Sequence, residues 1–115
     1  MYSFEIKDNV GLLSVDDGKA NAVGHGFIDA MDDALTRCLA DASAIVIAGR
    51  DGLFSGGFDL SEFKKGPEAT TALVARGAEM FVRLFTHPQP VIAACTGRAI
   101  AAGGFLLLAQ IFIAA

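Results

Sequence analysis

Cysteine is scarce: Cys38 and Cys95 are the only two in 115 residues, too few for a disulfide framework. Each lies in an apolar run, where a small buried hydrophobe is the expected role, and a reducing, cytoplasmic setting is the matching expectation. Basic residues are also few. Nine Lys and Arg stand against 13 Asp and Glu, a net charge of −4, so no basic stripe exists to neutralise phosphates and nucleic acid is not expected as a partner. The opening residues Met1 to Glu5 have neither the basic start nor the apolar stretch of a signal peptide, so no export is expected. The run Val91 to Ala115 is long enough to consider for a membrane, but Gly97, Arg98, Gly103 and Gly104 interrupt it. An arginine in hydrocarbon costs about 2.5–3.5 kcal/mol on insertion scales. A buried strand, turn and helix is expected there, with no membrane partner.

Patterns that carry chemistry are sparse too. His25 and His87 have no cysteine or carboxylate at metal-ligand spacing, so no metal is expected. Ser55 lacks the Gly-x-Ser-x-Gly elbow of a serine hydrolase. Neither a dinucleotide fingerprint nor a phosphate loop ending in Gly-Lys-Ser/Thr occurs. What is abundant is apolar surface and glycine: 53% hydrophobic residues, 19% charged and 13 Gly describe a compact globular chain. Its length allows one domain, residues 1–115, small for an α/β enzyme that must also enclose a substrate.

Tyr2 to Ile6 alternates apolar and polar residues, Asp8-Asn9 supplies a turn and Val10 to Val15 is apolar again, an antiparallel hairpin in outline. A polar loop over residues 16–21 follows. From Gly26, Ile28, Met31, Leu35 and Leu39 recur at helical steps, with Asp32, Asp33 and Arg37 on the other face. Ala44 to Ala48 suits a strand buried on both faces, closed by a turn over Gly49 to Gly52. A glycine turn, Phe54 to Asp59, leads into a short helical start at Leu60, and Gly66-Pro67 breaks the chain. The next helix, Ala69 to Thr86, presents Leu73, Met80, Phe81, Leu84 and Phe85 on one side, while Glu79 is expected in solvent. His87-Pro88-Gln89-Pro90 ends it, because proline disfavours helical geometry in the residue before it. Val91 to Cys95 reads as a strand, Thr96 to Gly104 as a second glycine turn and Phe105 to Ala109 as a helix.

Each glycine turn joins a strand to a helix start, where the first N–H groups lack partners and the dipole is positive. Glycine and alanine let a ligand approach the backbone closely. Two such turns brought together could aim two N–H donors at one oxygen. A single glycine turn is weak evidence, since most only reverse the chain; the spacing of the pair is what is specific.

Ile45-Val46-Ile47-Ala48-Gly49 with Phe54-Ser55-Gly56-Gly57-Phe58-Asp59-Leu60, then Pro90 to Ala99 and Gly103-Gly104, resembles the paired signature of the crotonase superfamily. Lys19-Ala20-Asn21-Ala22 before the first helix belongs to the same likeness, which covers nearly the whole chain. It implies an α/β fold, a crotonase-like spiral of ββα units, of which this chain is the N-terminal half of the core. It also implies an acyl-CoA thioester as substrate and partner, no separate cofactor, and homotrimers or dimers of trimers at full length.

By the same resemblance the backbone N–H groups of Phe58 and Gly103 form an oxyanion hole that polarises the thioester carbonyl and stabilises an enolate. Ser55, Gly56, Gly57, Asp59, Leu60, Ser61 and Gly104 then line the thioester or pantetheine, and Lys19 and Ala20 follow the CoA. Phe58, where the family often has alanine, is expected to narrow the acyl pocket. Two of these residues have equally physical structural readings: Asp59 with Glu62 forms a helix-capping pair, and Lys19 is a solvated loop residue. One departure bears on the reaction. Hydratases of the family carry a glutamate two residues after the glycine of the second turn, where this chain has Phe105, and a phenyl ring transfers no proton. An isomerase- or hydrolase-type reaction is therefore expected rather than standard hydration. The alternative is a non-catalytic assembly or binding module, or an inactive fragment.

Overall fold

The computed structural model describes residues 2–19, 21–94, 97–99 and 112–114. Its elements are β1 (Tyr2–Lys7), β2 (Val10–Val15), α1 (His25–Asp41), β3 (Ala44–Ala48), β4 (Gly52–Ser55), α2 (Leu60–Phe63), α3 (Pro67–Phe85), β5 (Val91–Ala94), β6 (Gly97–Ala99) and β7 (Phe112–Ala114). β1 and β2 pair antiparallel through the expected turn, with Asp8 at φ 51° and Asn9 at φ 68°. Two consecutive positive φ values match the twist of the flanking strands, and Asp and Asn tolerate them best after glycine. β2, β3, β5 and β7 then run parallel, giving a five-stranded sheet in the order β1-β2-β3-β5-β7.

The sequence-based reading missed three strands, β7 in the tail among them. Gly52–Ser55 and Gly97–Ala99, read as parts of the glycine turns, are β4 and β6, and they pair parallel as a separate two-stranded sheet. Strands of four and three residues hold too little alternation to register as period two. Their presence makes the chain a succession of strand-strand-helix units, the ββα architecture that the resemblance implied.

Packing corrects the predicted stripes in detail. In α1 the buried set is Phe27, Ile28, Met31, Ala34, Leu35 and Cys38, while Leu39 is 51% exposed. At about 100° per residue Cys38 falls near the centre of that arc and Leu39 beyond its edge. In α3, Leu73, Gly77, Met80 and Leu84 are buried and Phe85 is 74% exposed, for the same angular reason. That helix begins at Pro67, two residues earlier than expected, because proline's fixed φ suits the first helical turn. β3 has one fully buried face, Ile45 and Ile47, while Ala44, Val46 and Ala48 are only half-buried, so it is not closed equally on both sides. α1 lies against β1, β2, β3 and α3, and the core runs through Leu13, Val15, Met31, Leu35, Ile45, Ile47, Leu73 and Val91.

The turn after α3 is pinned by a residue whose role the sequence did not reveal. The Gln89 amide donates to Cys38 O at 3.0 Å and Ala42 O at 2.7 Å, satisfying carbonyls at the C-terminal end of α1. Its Oε1 lies 3.0 Å from His87 Nε2, so the buried imidazole carries its proton there. No helix among the described residues is long and apolar enough to cross a membrane. The helix expected over Phe105 to Ala109 lies outside the described residues.

Candidate functional site

The first glycine turn starts where β4 ends. Ser55 is fully buried, Gly57 adopts φ 94°, and Phe58 forms an isolated parallel bridge with Val23. A side chain at Gly57 would be strained in that backbone conformation. In the bridge, Val23 N–H donates to Gly57 O at 2.8 Å and Asp59 N–H donates to Val23 O at 3.0 Å. Both bonds use the neighbours of Phe58. Its own N–H and C=O therefore face away from Val23, as in any parallel ladder, and among the described residues nothing accepts from the Phe58 N–H.

The loop before α1 holds this turn in place. Asn21 is buried, at φ 50°, and its amide nitrogen donates to Val15 O at 2.9 Å, with longer contacts to Phe54 O at 3.3 Å and Leu53 O at 3.4 Å. Its Oδ1 accepts from Asp17 N–H at 3.0 Å, and its backbone carbonyl accepts from the Ser55 hydroxyl at 2.9 Å. Ser55 Oγ in turn accepts from Gly57 N–H at 3.2 Å. The Ser55 side chain, expected to line the ligand, is thus spent inside the protein as a brace. Asn21 appeared in the sequence only as part of the resemblance. A polar residue between a strand and a helix is ordinary, and nothing local marks this one as buried.

The Phe58 side chain does not simply hang into a pocket. Its ring lies on Gly77 of α3, so closely that a Cβ at Gly77 would stand 2.5 Å from the ring. Phe63 and Phe81 complete the cluster, with ring centroids 6.0 and 6.4 Å from that of Phe58. Edge and tilted contacts of this kind suit the aromatic quadrupole. The backbone is left at the turn surface while the ring anchors the turn to α3.

Asp59 caps α2. Its Oδ1 accepts from Ser61 N–H at 2.9 Å and Ser61 Oγ at 2.6 Å, and the Ser61 hydroxyl bond holds the carboxyl below the usual aspartate range. The reciprocal half of the expected capping box is absent: the Asp59 N–H goes to Val23 O, and Glu62 turns to Lys65 at 2.8 Å and His25 at 3.4 Å. The lysine bond holds Glu62 below the usual glutamate range and Lys65 above the usual lysine range. α2 is four residues long, so its dipole adds little to the field expected at this turn.

His25 stands at the start of α1, where Arg76 donates to its Nδ1 at 2.9 Å and Arg76 also reaches Asp29 at 2.6 Å. Leu60 is 68% exposed, Ser61 and Lys19 are exposed, and Lys19 N–H donates to Asp17 Oδ1 at 2.7 Å. Glu79 is exposed on α3, as expected. Ser55 is therefore joined to the loop of Lys19 through Asn21, and Gly57 and Asp59 to the same loop through Val23. Ala20, Gly103, Gly104 and Phe105 lie outside the described residues.

The second turn is reached through β6. The β4–β6 register sets Gly52 opposite Gly97, Leu53 opposite Arg98 and Ser55 opposite Ala99. Parallel pairing sends both strands out at the same end, Ser55 beside Ala99.

Residues 5–115 match the family described as Enoyl-CoA hydratase/isomerase. The chain belongs to that family. It is 34% identical over 112 residues to a "Probable enoyl-CoA hydratase" of Bacillus subtilis, covering 94% of this chain and 43% of that protein. It is 26% identical over 117 residues to the peroxisomal "Enoyl-CoA delta isomerase 1" of Arabidopsis thaliana, covering 98% of this chain and 49% of that one. A crystal structure of an enoyl-CoA hydratase/isomerase family protein from Pseudomonas syringae superposes with a TM-score of 0.94 at 37% identity, over 97% of this chain and 49% of that chain. The crotonase fold of the described half is thereby established, and the chain spans about half the length of these relatives.

Proposed function

We propose that this chain contributes the thioester-binding half of an acyl-CoA enzyme, with the backbone N–H of Phe58 as one donor of an oxyanion hole and that of Gly103 as the other. The observation that carries the reading is the pairing of β4 with β6. Its register sets Ser55 level with Ala99, three residues before Phe58 and four before Gly103 in the sequence. The N–H of Phe58, directed away from Val23 and unused among the described residues, supports it. Donors fixed in advance where negative charge develops contribute about 3–4 kcal/mol each in other oxyanion holes. Gly56, Gly57, Asp59, Leu60 and Ser61 border the thioester in this reading, with Gly104 beyond the second donor and Lys19 and Ala20 toward the CoA. A cytoplasmic setting and trimeric assembly of the full-length protein accompany it.

The reaction is isomerase- or hydrolase-type rather than hydration, because Phe105 stands where hydratases of the family carry a glutamate. The same phenylalanine favours a second reading, a binding or assembly module without turnover. Calorimetric titration with butyryl-CoA tests the binding claim: saturable heat in the micromolar to millimolar range is expected, and none at millimolar ligand rejects it. A panel of enoyl-CoA and acyl-CoA esters separates the two readings, since turnover of any of them excludes the non-catalytic module.

A further inference from the structure

We infer that Ser55 and Asn21 are positioning residues for the Phe58 amide, setting the direction of its N–H without touching the ligand. This rests on the oxyanion-hole reading above and adds to it the device that keeps the donor aimed. The difficulty for such a donor is Gly57. With no Cβ and φ at 94°, it leaves the two peptide planes on either side of it free to reorient. Both planes are held here. The plane between Gly56 and Gly57 is tied by Gly57 N–H to Ser55 Oγ, and the plane between Gly57 and Phe58 by Val23 N–H to Gly57 O. In a trans peptide the C=O and the following N–H point in opposite directions, so the bond at Gly57 O dictates where the Phe58 N–H points.

The Ser55 hydroxyl completes the brace because it accepts from Gly57 while donating to Asn21 O, which fixes its rotor. Asn21 is itself held between Val15 O and Asp17 N–H, so the chain of bonds ends on β2 rather than in a mobile loop. Ser55 and Asn21 are 0% and 1% exposed, so water is not at hand to replace either bond. Two of these bonds, Ser55 Oγ to Asn21 O and Val23 N–H to Gly57 O, each join residues 34 apart in sequence, and with the Gly57 N–H bond to Ser55 Oγ they hold both peptide planes of Gly57.

The test compares two ligands that differ only in the oxygen the donor would bind: butyryl-CoA, a thioester, and S-butyl-CoA, a thioether with no carbonyl. The wild-type chain is expected to bind the thioester about fivefold or more tightly, the worth of one neutral hydrogen bond. Ser55→Ala should bring that preference close to one while leaving thioether affinity unchanged, and Ser55→Thr, which keeps the hydroxyl, should restore most of it. A merely structural role would weaken both ligands together, and that outcome overturns the inference, as does a Ser55→Ala chain that keeps the wild-type preference. Should Ser55→Ala fail to fold, Ser55→Cys, with its weaker donor and acceptor, is expected to give an intermediate preference; full retention there overturns the inference equally. If the wild-type chain binds both ligands alike, the oxyanion-hole reading itself fails, and this inference with it.

Discussion

The sheet with α1 and the turn that carries Phe58 are held by different physics. Around Ile45 and Ile47 the protein is stabilised by apolar burial, which is non-directional and forgives small shifts. Around Phe58 the ring packs on Gly77, Phe63 and Phe81, but the backbone of the turn is oriented by a few directional bonds among Asn21, Ser55, Gly57 and Val23. A scaffold needs only stability, whereas a donor must keep its direction, and hydrogen bonds supply direction where packing does not.

The largest expected effect separates the two regions from the scaffold side. Ile45→Ala in β3 should lower unfolding free energy by about 2–5 kcal/mol, read from denaturant melts, yet leave the thioester-over-thioether preference intact in the folded fraction. Asn21→Ala should cost less, about 1–3 kcal/mol, because it strands buried carbonyls rather than opening a large cavity. Unlike the isoleucine change, it should also abolish the thioester preference. If both substitutions affected stability and preference in the same proportion, the contrast between the regions would collapse.

Smaller effects sharpen the comparison. Gly77→Ala forces the Phe58 ring off α3, a strain of about 1–3 kcal/mol partly offset by alanine's better helix propensity of about 1 kcal/mol. A net loss near ~1 kcal/mol is expected, and the double change with Phe58→Ala should recover it, a coupling measurable in a double-mutant cycle. Asp59→Ala removes a cap from a single turn of helix and should cost about 0.5–1 kcal/mol. The folded-state pKa of Asp59 lies below its unfolded value. Its contribution is therefore present above the ordinary aspartate pKa of about 3.9 and lost as pH falls through the depressed folded value. Melts of wild type and Asp59→Asn should converge in that acid window and separate above it.

Much of this was legible in the chain. The hairpin, α1, β3, α3 and the break at residues 87–90 follow from alternation, helical steps, turn residues and proline, all of which act over a few neighbours. The motif spacing pointed to the family, and residues 5–115 match it. Less visible were β4 and β6, too short to show a period, and the choice of Cys38 over Leu39 for the buried arc. The internal hydrogen bonds of Ser55 were not legible, because a serine beside two glycines looks the same whether its hydroxyl faces a ligand or is closed inside.

By itself the sequence determined the order of elements and the backbone freedom of the turn, since propensity, proline geometry and glycine conformation are local properties. Tertiary structure alone decided that Asn21 would reach β4, that Ser55 would brace Gly57, and that the Phe58 ring would find the bare face of Gly77. Those contacts join residues tens of positions apart or depend on burial, and neither distance in space nor exclusion of water is encoded by neighbours along the chain.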